Sequence, residues 1–150
     1  MKKFMQKKLN QKGLTLVELL AVIVILGIIA AIAVPAIGNI ITNSKVNALK
    51  GDGQNVLSAA QLYFTENGSK DTATVTTDIL KTDGFLEDVG GFTKGTGAVV
   101  TKNADGNTIS GMSKAKGVSV EFKAATNKNI NDAPVKVGND QVVVNRNAGE

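Results

Sequence analysis

Residues 14–44 read LTLVELLAVIVILGIIAAIAVPAIGNIITNS, an apolar run that contains one charged residue, Glu18. The positions from Leu19 to Ile37 are almost entirely aliphatic, and a helix of about 20 such residues spans the roughly 30 Å hydrocarbon core of a bilayer. An ordinary secretory signal has a shorter apolar core of about 7 to 15 residues. A chain of 150 residues also has no core large enough to bury a helix that is apolar all round. The run therefore predicts a retained membrane helix.

Lysines precede this run and account for the basic charge of the chain. Lys2, Lys3, Lys7, Lys8 and Lys12 are five of its 17 basic residues, and the rest of the chain carries 12 positive and 13 negative charges. Lysines directly before an apolar run orient it with its start on the cytoplasmic side. Without them the net charge is −1, whereas binding to phosphates requires a basic face. We therefore expect the membrane, and not nucleic acid, as a partner of the chain.

Residue types that build common catalytic sites are missing. The chain contains no Cys and no His, which excludes disulfides, thiolate or imidazole metal sites, Cys nucleophiles and His general bases. The residues around Asp105-Gly106 lack the spacing and the terminal Glu of an EF-hand and are typical of a hairpin turn. No catalytic triad or phosphate-binding glycine loop is recognisable. The sequence predicts no enzyme, no cofactor and no metal site.

Glu18 places a negative charge near the start of the apolar run. A carboxylate at the centre of a bilayer costs on the order of 2.5 to 3.5 kcal/mol, and such residues are usually paired and functional. The alternative is that Glu18 lies at the level of the lipid headgroups, where a helix N-terminus favours it. The charge alone leaves both interpretations open.

Residues 12–20, KGLTLVELL, resemble the junction of type IV prepilins. In that family a short basic leader ends in Gly, the chain is cut, and the apolar residue after the cut is followed four positions later by a Glu. The resemblance implies cleavage after Gly13 by a prepilin peptidase and N-methylation of the new terminus at Leu14. The first mature residue in the family is most often Phe, and Leu14 departs from that pattern.

The resemblance also gives Glu18 a role in subunit assembly. Cleavage leaves an ammonium group at Leu14, and a filament of packed apolar helices would bury this charge, which is costly unless it is paired. The resemblance implies that Glu18 meets the terminal amine of a neighbouring subunit and sets the axial register of the filament.

Gly27 and Pro35 are the weak points of the apolar helix. Pro35 has no N–H to donate to the carbonyl of Ala31 and loosens the preceding turn, and Gly27 lowers the helix propensity further. Both residue types are also common in transmembrane helices. The family resemblance implies that the segment from Gly27 to Pro35 unwinds when subunits leave the bilayer and pack into the filament.

Beyond the apolar run, an amphipathic pattern predicts that the helix continues to about Thr65 and stops at Asn67-Gly68. The apolar residues recur at spacings of three or four, at Val46, Leu49, Gly53, Val56, Ala60 and Phe64. A short helix is expected around residues 79–81, with Thr77 or Asp78 as its cap and Gly84 as its end.

The remaining segments read as short strands separated by turns. The strands are predicted at Ala98 to Thr101, Thr108 to Met112, Val118 to Lys123, and Val135 with Val137 and Val142 to Val144, with turns at 103–107 and 138–140. The expected fold is α+β, a long N-terminal helix packed on a small antiparallel sheet of three or four strands. We expect a leader at 1–13 that is removed, a transmembrane and filament-core helix at 14–44, its amphipathic continuation at 45–66, and a globular head at 67–150.

The resemblance implies a structural subunit that polymerises with copies of itself into a helical type IV pilus, for adhesion, motility or DNA uptake. The precursor would cross the cytoplasmic membrane once, and the assembled filament would be extracellular. The implied partners are the prepilin peptidase, the assembly ATPase, the platform protein and minor pilins. A pseudopilin of a type II secretion or competence system would share every motif before Thr65. A signal-anchored surface binding protein is the other alternative, and there Glu18 would be dispensable.

Overall fold

The computed structural model describes residues 2–93, 97–135 and 141–146, with side chains from residue 15 onward in these ranges. Its elements in chain order are α1 (Lys2–Glu66), β1 (Thr74–Thr76), α2 (Thr77–Thr82), β2 (Val99–Thr101), β3 (Thr108–Ala115), β4 (Val118–Ala125), α3 (Asn127–Asp132) and β5 (Gln141–Asn145). This arrangement confirms the predicted α+β class. The chain forms two units, which divide between Ile40 and Ile41.

The first unit is the N-terminal part of α1. The helix begins at Lys2 and so includes the leader that precedes the predicted helix at 14–44, because Lys, Gln and Leu in the leader are good helix formers. The large aliphatic side chains from Leu16 to Ile40 are each 52% to 69% exposed. The helix continues through Pro35. By length and composition it can cross a membrane.

The end of α1 is a glycine cap. Gly68 adopts a left-handed conformation, with φ of 57°. The N–H of Ser69 donates to the carbonyl of Phe64 at 3.0 Å, and the N–H of Gly68 donates to the carbonyl of Thr65 at 3.4 Å. These two bonds define a Schellman motif, which satisfies carbonyls that would otherwise lack a partner at the helix end. The predicted stop at Asn67-Gly68 is confirmed.

The short helix α2 is capped one residue earlier than predicted. Thr76, and not Thr77 or Asp78, accepts the hydrogen bond from the N–H of Ile79 through its side chain. Thr77 is instead buried in the first turn. The predicted end at Gly84 is confirmed, since this residue has a φ of 81°.

The second unit contains a five-stranded sheet in the order β1-β2-β3-β4-β5. The first three neighbouring pairs are antiparallel. In the turn between β2 and β3, Gly106 has a φ of 115° and its N–H donates to the carbonyl of Asn103 at 3.1 Å. The predicted turn at 103–107 is thereby confirmed. Val137 and the predicted turn at 138–140 lie outside the described residues.

The sheet departs from the predicted antiparallel meander in two ways. Thr74–Thr76 form an additional strand, and β5 pairs with β4 in parallel, with Val135 outside it. Parallel neighbours need a crossover, and α3 lies in that connection. Thr126 and Asn129 form a reciprocal capping box at its start, with Ile130 buried beneath. The sequence NKNIND has little intrinsic helix propensity, so the cap and the buried side chain account for a helix that periodicity did not predict.

The core lies between the C-terminal half of α1 and one face of the sheet. From α1 it includes Val46, Leu49, Val56, Leu57, Ala60 and Phe64, and from the strands Val75, Val100, Ile109, Val120, Phe122 and Val144. The predicted apolar stripe of the helix is therefore the buried one. Gly53 lies within this stripe, and a Cβ there would fall 2.7 Å from Cζ of Phe122. The absence of a side chain at this position allows the ring to pack directly on the helix backbone.

Candidate functional site

All five predicted site residues lie on α1. Gly13 and Leu14 are within the helix, although the side chain of Leu14 is outside the described residues. Glu18 is exposed and follows Leu14 by four residues, so the two share a face of the helix about 6 Å apart along its axis. Gly27 and Pro35 are exposed positions further along the same helix.

The surface around Glu18 is apolar and uncovered. None of the most apolar stretch of α1 is buried. Large contiguous apolar surfaces on a soluble chain are unfavourable and mark contacts with lipid or with other proteins. The arrangement can therefore pack against lipid or other helices and presents a carboxylate near one end of the contact surface.

Polar residues of α1 attach the helix to the sheet and its loops. Oδ2 of Asp52 accepts from the N–H of Gly91 at 2.8 Å, and the hydroxyl of Ser113 donates to the same oxygen at 3.4 Å. Nζ of Lys45 donates to the carbonyl of Lys116 at 3.0 Å. These contacts, all within the second unit, hold the sheet and its loops on the C-terminal part of α1.

Lys50 anchors the connection between α3 and β5. Its Nζ donates to the carbonyl of Ala133 at 2.9 Å. Burial lowers the pKa of Lys50 below the ordinary value of 10.5, and the nearby charge of Asp132 partly opposes this effect. The ammonium group therefore gains a hydrogen bond but loses some of its hydration.

Lys45, Lys50 and Asp52 fall outside the predicted apolar stripe of α1, and the sequence pattern did not predict these contacts. The partners of Asp52 are 39 and 61 residues away along the chain. A local pattern contains no information on such distant pairs.

In the described part of the chain, no group of three or more metal-binding side chains could hold an ion.

Residues 8–34 match a family model described as the prokaryotic N-terminal methylation motif. The matched range contains Gly13, Leu14, Glu18 and Gly27 and ends one residue before Pro35. The match thus covers the predicted cleavage point, the first mature residue and most of the predicted unwinding segment.

Two curated proteins are similar to this chain. The Type II secretion system core protein G of Pseudomonas aeruginosa is 40% identical over 63 residues, which cover 42% of this chain and 44% of that protein. The Type IV major fimbrial protein FimA of Dichelobacter nodosus is 38% identical over 96 residues, which cover 63% of this chain and 55% of that protein. The chain spans about half the length of the curated relatives it matches. No solved structure gives a significant match. The methylation motif and the two relatives together support the assignment of this chain to the type IV pilin family.

Proposed function

We propose that the chain is a pilin, the structural subunit of a type IV pilus filament on the cell surface that serves adhesion, motility or DNA uptake. The observation that carries this proposal is the methylation motif at residues 8–34 on a helix whose aliphatic side chains are exposed. Such a surface needs lipid or neighbouring helices to cover it. A filament of packed helices provides that cover outside the membrane. We assign the chain a structural role and no catalytic step.

Maturation would remove residues 1–13. A prepilin peptidase would cut after Gly13, and the new terminus at Leu14 would be N-methylated. The bond between these residues lies within α1, so a turn of helix has to open before a protease can bind it in extended form. Gly13 favours this opening, because Gly is about 1 kcal/mol less favourable than Ala inside a helix.

In the filament, Glu18 would pair with the ammonium group at Leu14 of a neighbouring subunit. A charge buried among apolar helices without a partner is strongly destabilising, whereas a close pair recovers much of the lost hydration energy. A subunit displaced by one helical turn would move the two charges about 5.4 Å further apart. The pair would therefore select one axial register among the many that apolar surfaces alone permit.

The segment from Gly27 to Pro35 would unwind as subunits pass from the bilayer into the filament. A Cβ at Gly27 would meet no atom within 4 Å, and Pro35 withholds a donor from the carbonyl of Ala31. We divide the chain accordingly into a leader at 1–13, a membrane and filament-core helix at 14–44, its amphipathic continuation at 45–66 and an outward-facing head at 67–150.

The precursor would cross the cytoplasmic membrane once before joining the extracellular filament. Its main partner would be other copies of the same chain. An assembly ATPase and a platform protein would extract it from the bilayer, and minor pilins would join it in the filament. These partners follow from the pilin assignment and from the exposed apolar helix that a single copy leaves uncovered.

A pseudopilin of a type II secretion or competence system is the second candidate. The relative named for type II secretion has the slightly higher identity, 40% against 38%. The fimbrial relative covers more of this chain, 63% against 42%, and so includes more of the sequence outside the shared motif. The greater share of this chain that the fimbrial relative covers favours a pilin over a pseudopilin.

The first test is the intact mass of the protein in filaments sheared from cells. We expect a mass that corresponds to Leu14–Glu150 plus one methyl group. A pseudopilin would instead give the processed mass in the membrane fraction without sheared filaments, and its deletion would block secretion or DNA uptake. A full-length mass confined to the membrane would contradict the proposal and support a signal-anchored binding protein.

The second test is the substitution Glu18→Ala. We expect normal processing but no filament growth, so that processed subunit accumulates in the membrane. Glu66→Ala removes an exposed carboxylate from the other end of α1 and serves as the matched control, with unchanged filament yield. Normal filaments from Glu18→Ala cells would contradict the proposed role of Glu18.

A further inference from the structure

Strand β5 forms one edge of the sheet in the part of the chain that the structure describes. It pairs with β4 in a continuous register from Ser119–Gln141 to Lys123–Asn145, without a bulge. The opposite edge, β1, has only three residues. Short strands, bulges, Pro and Lys are the features that keep sheet edges from pairing with other chains. The sequence of β5 is QVVVN, and the strand has none of these features.

The backbone groups of β5 alternate between β4 and the free side of the sheet. The N–H of Arg146 donates to the carbonyl of Lys123 at 3.3 Å, so Arg146 faces β4. In a strand, successive residues direct their N–H and C=O groups to opposite sides. Val142 and Val144 therefore also face β4. The residues whose N–H and C=O groups point away from β4 form what we call the open edge: Gln141, Val143 and Asn145.

The sequence of β5 is symmetric in chemical type about Val143. An amide residue stands at each end, Gln141 and Asn145, with three valines between them. In an antiparallel pair, residues whose backbone groups point to the partner lie opposite each other. Two copies of β5 aligned with Val143 opposite Val143 place Gln141 opposite Asn145, and this register uses every group of the open edge. A two-fold contact requires such a self-complementary surface.

The side chains also fit this register. Gln141, Val143 and Asn145 share the exposed face of the strand, and Val143 is 42% exposed. In the pair, the two Val143 side chains lie side by side, and each Gln141 amide lies opposite an Asn145 amide with which it can exchange hydrogen bonds. The strand contains no charged residue, so the pairing removes no charge of β5 from water.

We propose that the open edge binds the open edge of a second copy of this chain, so that antiparallel β5 strands join two heads in one continuous sheet. Its consequence for a pilus rests on the proposed function. Subunits of one helical filament are related by a rotation combined with a translation, whereas this contact is a closed two-fold pair. The contact therefore joins subunits of neighbouring filaments. Many such weak contacts along two filaments add up to a stable bundle.

Disulfide trapping in the full-length chain tests the register of the pair. The native chain contains no Cys, so Val143→Cys carries a single thiol. In the pair it lies opposite its own copy at a Cα separation of about 5.5 Å, which a disulfide spans. We expect oxidation in detergent micelles to give a covalent dimer. Gln141→Cys is the matched control on the same face, because its two copies are about 13 Å apart along the strands and should not be joined.

A mixture of Gln141→Cys and Asn145→Cys chains tests the same register independently. These positions lie opposite each other in the pair, so we expect a heterodimer, identified by its intact mass. Adding Val143→Lys to both chains should abolish the heterodimer, because it places two ammonium groups opposite each other. Ile79→Lys adds the same charge at an equally exposed position, 42% for both residues, and should leave the heterodimer yield unchanged.

Two results would overturn the inference. Absence of a dimer from Val143→Cys would exclude the pairing. Equal dimer yields from Val143→Cys and Gln141→Cys would show that the chains meet in the micelle without this register. Either result leaves the proposed function intact, because sheared filaments test it separately. The comparison of the cysteine variants needs no charged substitution, so it decides the question even if Val143→Lys misfolds.

Electron microscopy of cells tests the consequence for filaments. We expect native filaments in bundles, and single filaments at an unchanged yield of sheared subunit from Val143→Lys cells. Bundles that persist in Val143→Lys cells would contradict the joining of filaments through β5. A Val143→Cys dimer from a chain that forms no filaments would support the pairing of heads and contradict the proposed function.

Discussion

The carboxylate of Asp52, in α1, accepts a hydrogen bond from the backbone N–H of Gly91 at 2.8 Å. The same oxygen accepts from Ser113 in β3, so one side chain ties a loop and a strand to the helix. Gly90 adopts a φ of 61° beside it, and a Cβ at that position would fall 2.3 Å from Cγ of Asp52. These polar contacts join the helix to the sheet in addition to the apolar core.

We expect Asp52→Ala to destabilise the fold by about 1 to 3 kcal/mol, because it leaves part-buried donors without an acceptor. Urea unfolding of the chain in detergent measures the effect. Asn55→Ala changes an exposed residue on the same helix and should alter the free energy of unfolding by less than about 0.5 kcal/mol. Equal stability of the two variants would show that the contact with Gly91 contributes nothing.

Gly53→Ala should destabilise the fold although Ala is the better helix former. The new methyl group would press on the ring of Phe122, which is 1% exposed and has no room to move, and overpacking of this kind costs about 1 to 3 kcal/mol. Gly51→Ala meets no atom within 4 Å and should stabilise the helix by about 1 kcal/mol. Thermal unfolding of both variants tests this difference in sign.

The Phe122→Leu background provides the control for the Gly53 prediction. If the clash with the ring is the cause, Gly53→Ala should lower the free energy of unfolding by less in the Phe122→Leu background than in the native chain. The effects of substitutions at two contacting residues are not additive. The same cost in both backgrounds would refute the close packing of helix and ring.

Pro35→Ala should slow filament assembly without affecting processing. The substitution restores a donor to the carbonyl of Ala31 and stabilises the helix by about 3 kcal/mol, which opposes the proposed unwinding. Gly38→Ala also strengthens the helix, meets no atom within 4 Å and lies outside the segment from Gly27 to Pro35. The ratio of sheared to membrane-bound processed subunit measures the effect. A similar ratio in the two variants would contradict a specific role for the segment.

The stability of the fold should respond to the titration of Lys50. Burial lowers the pKa of this residue from 10.5, so between the folded and unfolded values the unfolded chain binds more protons. Stability from this residue therefore rises as pH increases through that window toward 10.5. The free energy of unfolding of the native chain should increase relative to that of Lys50→Met over this window. Lys81→Met, at an exposed position, is the control, and parallel curves for the native chain and Lys50→Met would contradict the prediction.

The elements that are determined by residues close together in the chain could be predicted from the sequence. The helix from the apolar run to Glu66 follows from composition and from spacings of three and four, and its stop follows from the preference of Gly68 for a positive φ. Gly13, Leu14 and Glu18 came from a contiguous motif. Each of these features depends on residues that are close together in the sequence.

Elements fixed by distant contacts were not predictable. The parallel pairing of β5 depends on α3, whose residues favour helix only once Thr126 caps it and Ile130 is buried. Asp52 resembles any solvated acid until Gly91 and Ser113 are brought to it by the packing of the sheet. The spacing of apolar residues identifies which face of a segment is buried. The topology of the chain determines which other segment packs against that face.

The parallel pairing of β5 also bears on how the chain folds. β5 contacts β4 from Ser119–Gln141 to Lys123–Asn145 and buries Val142 and Val144. A chain that emerges from its N-terminus first has its anchor and four strands available before this last described strand. Until β5 docks, β4 is an open edge that can recruit a strand from another chain. Docking of β5 covers the buried face and the edge of β4 and makes β5 the outer strand of the sheet, so chains interrupted before Gln141 should aggregate or be degraded by quality-control proteases.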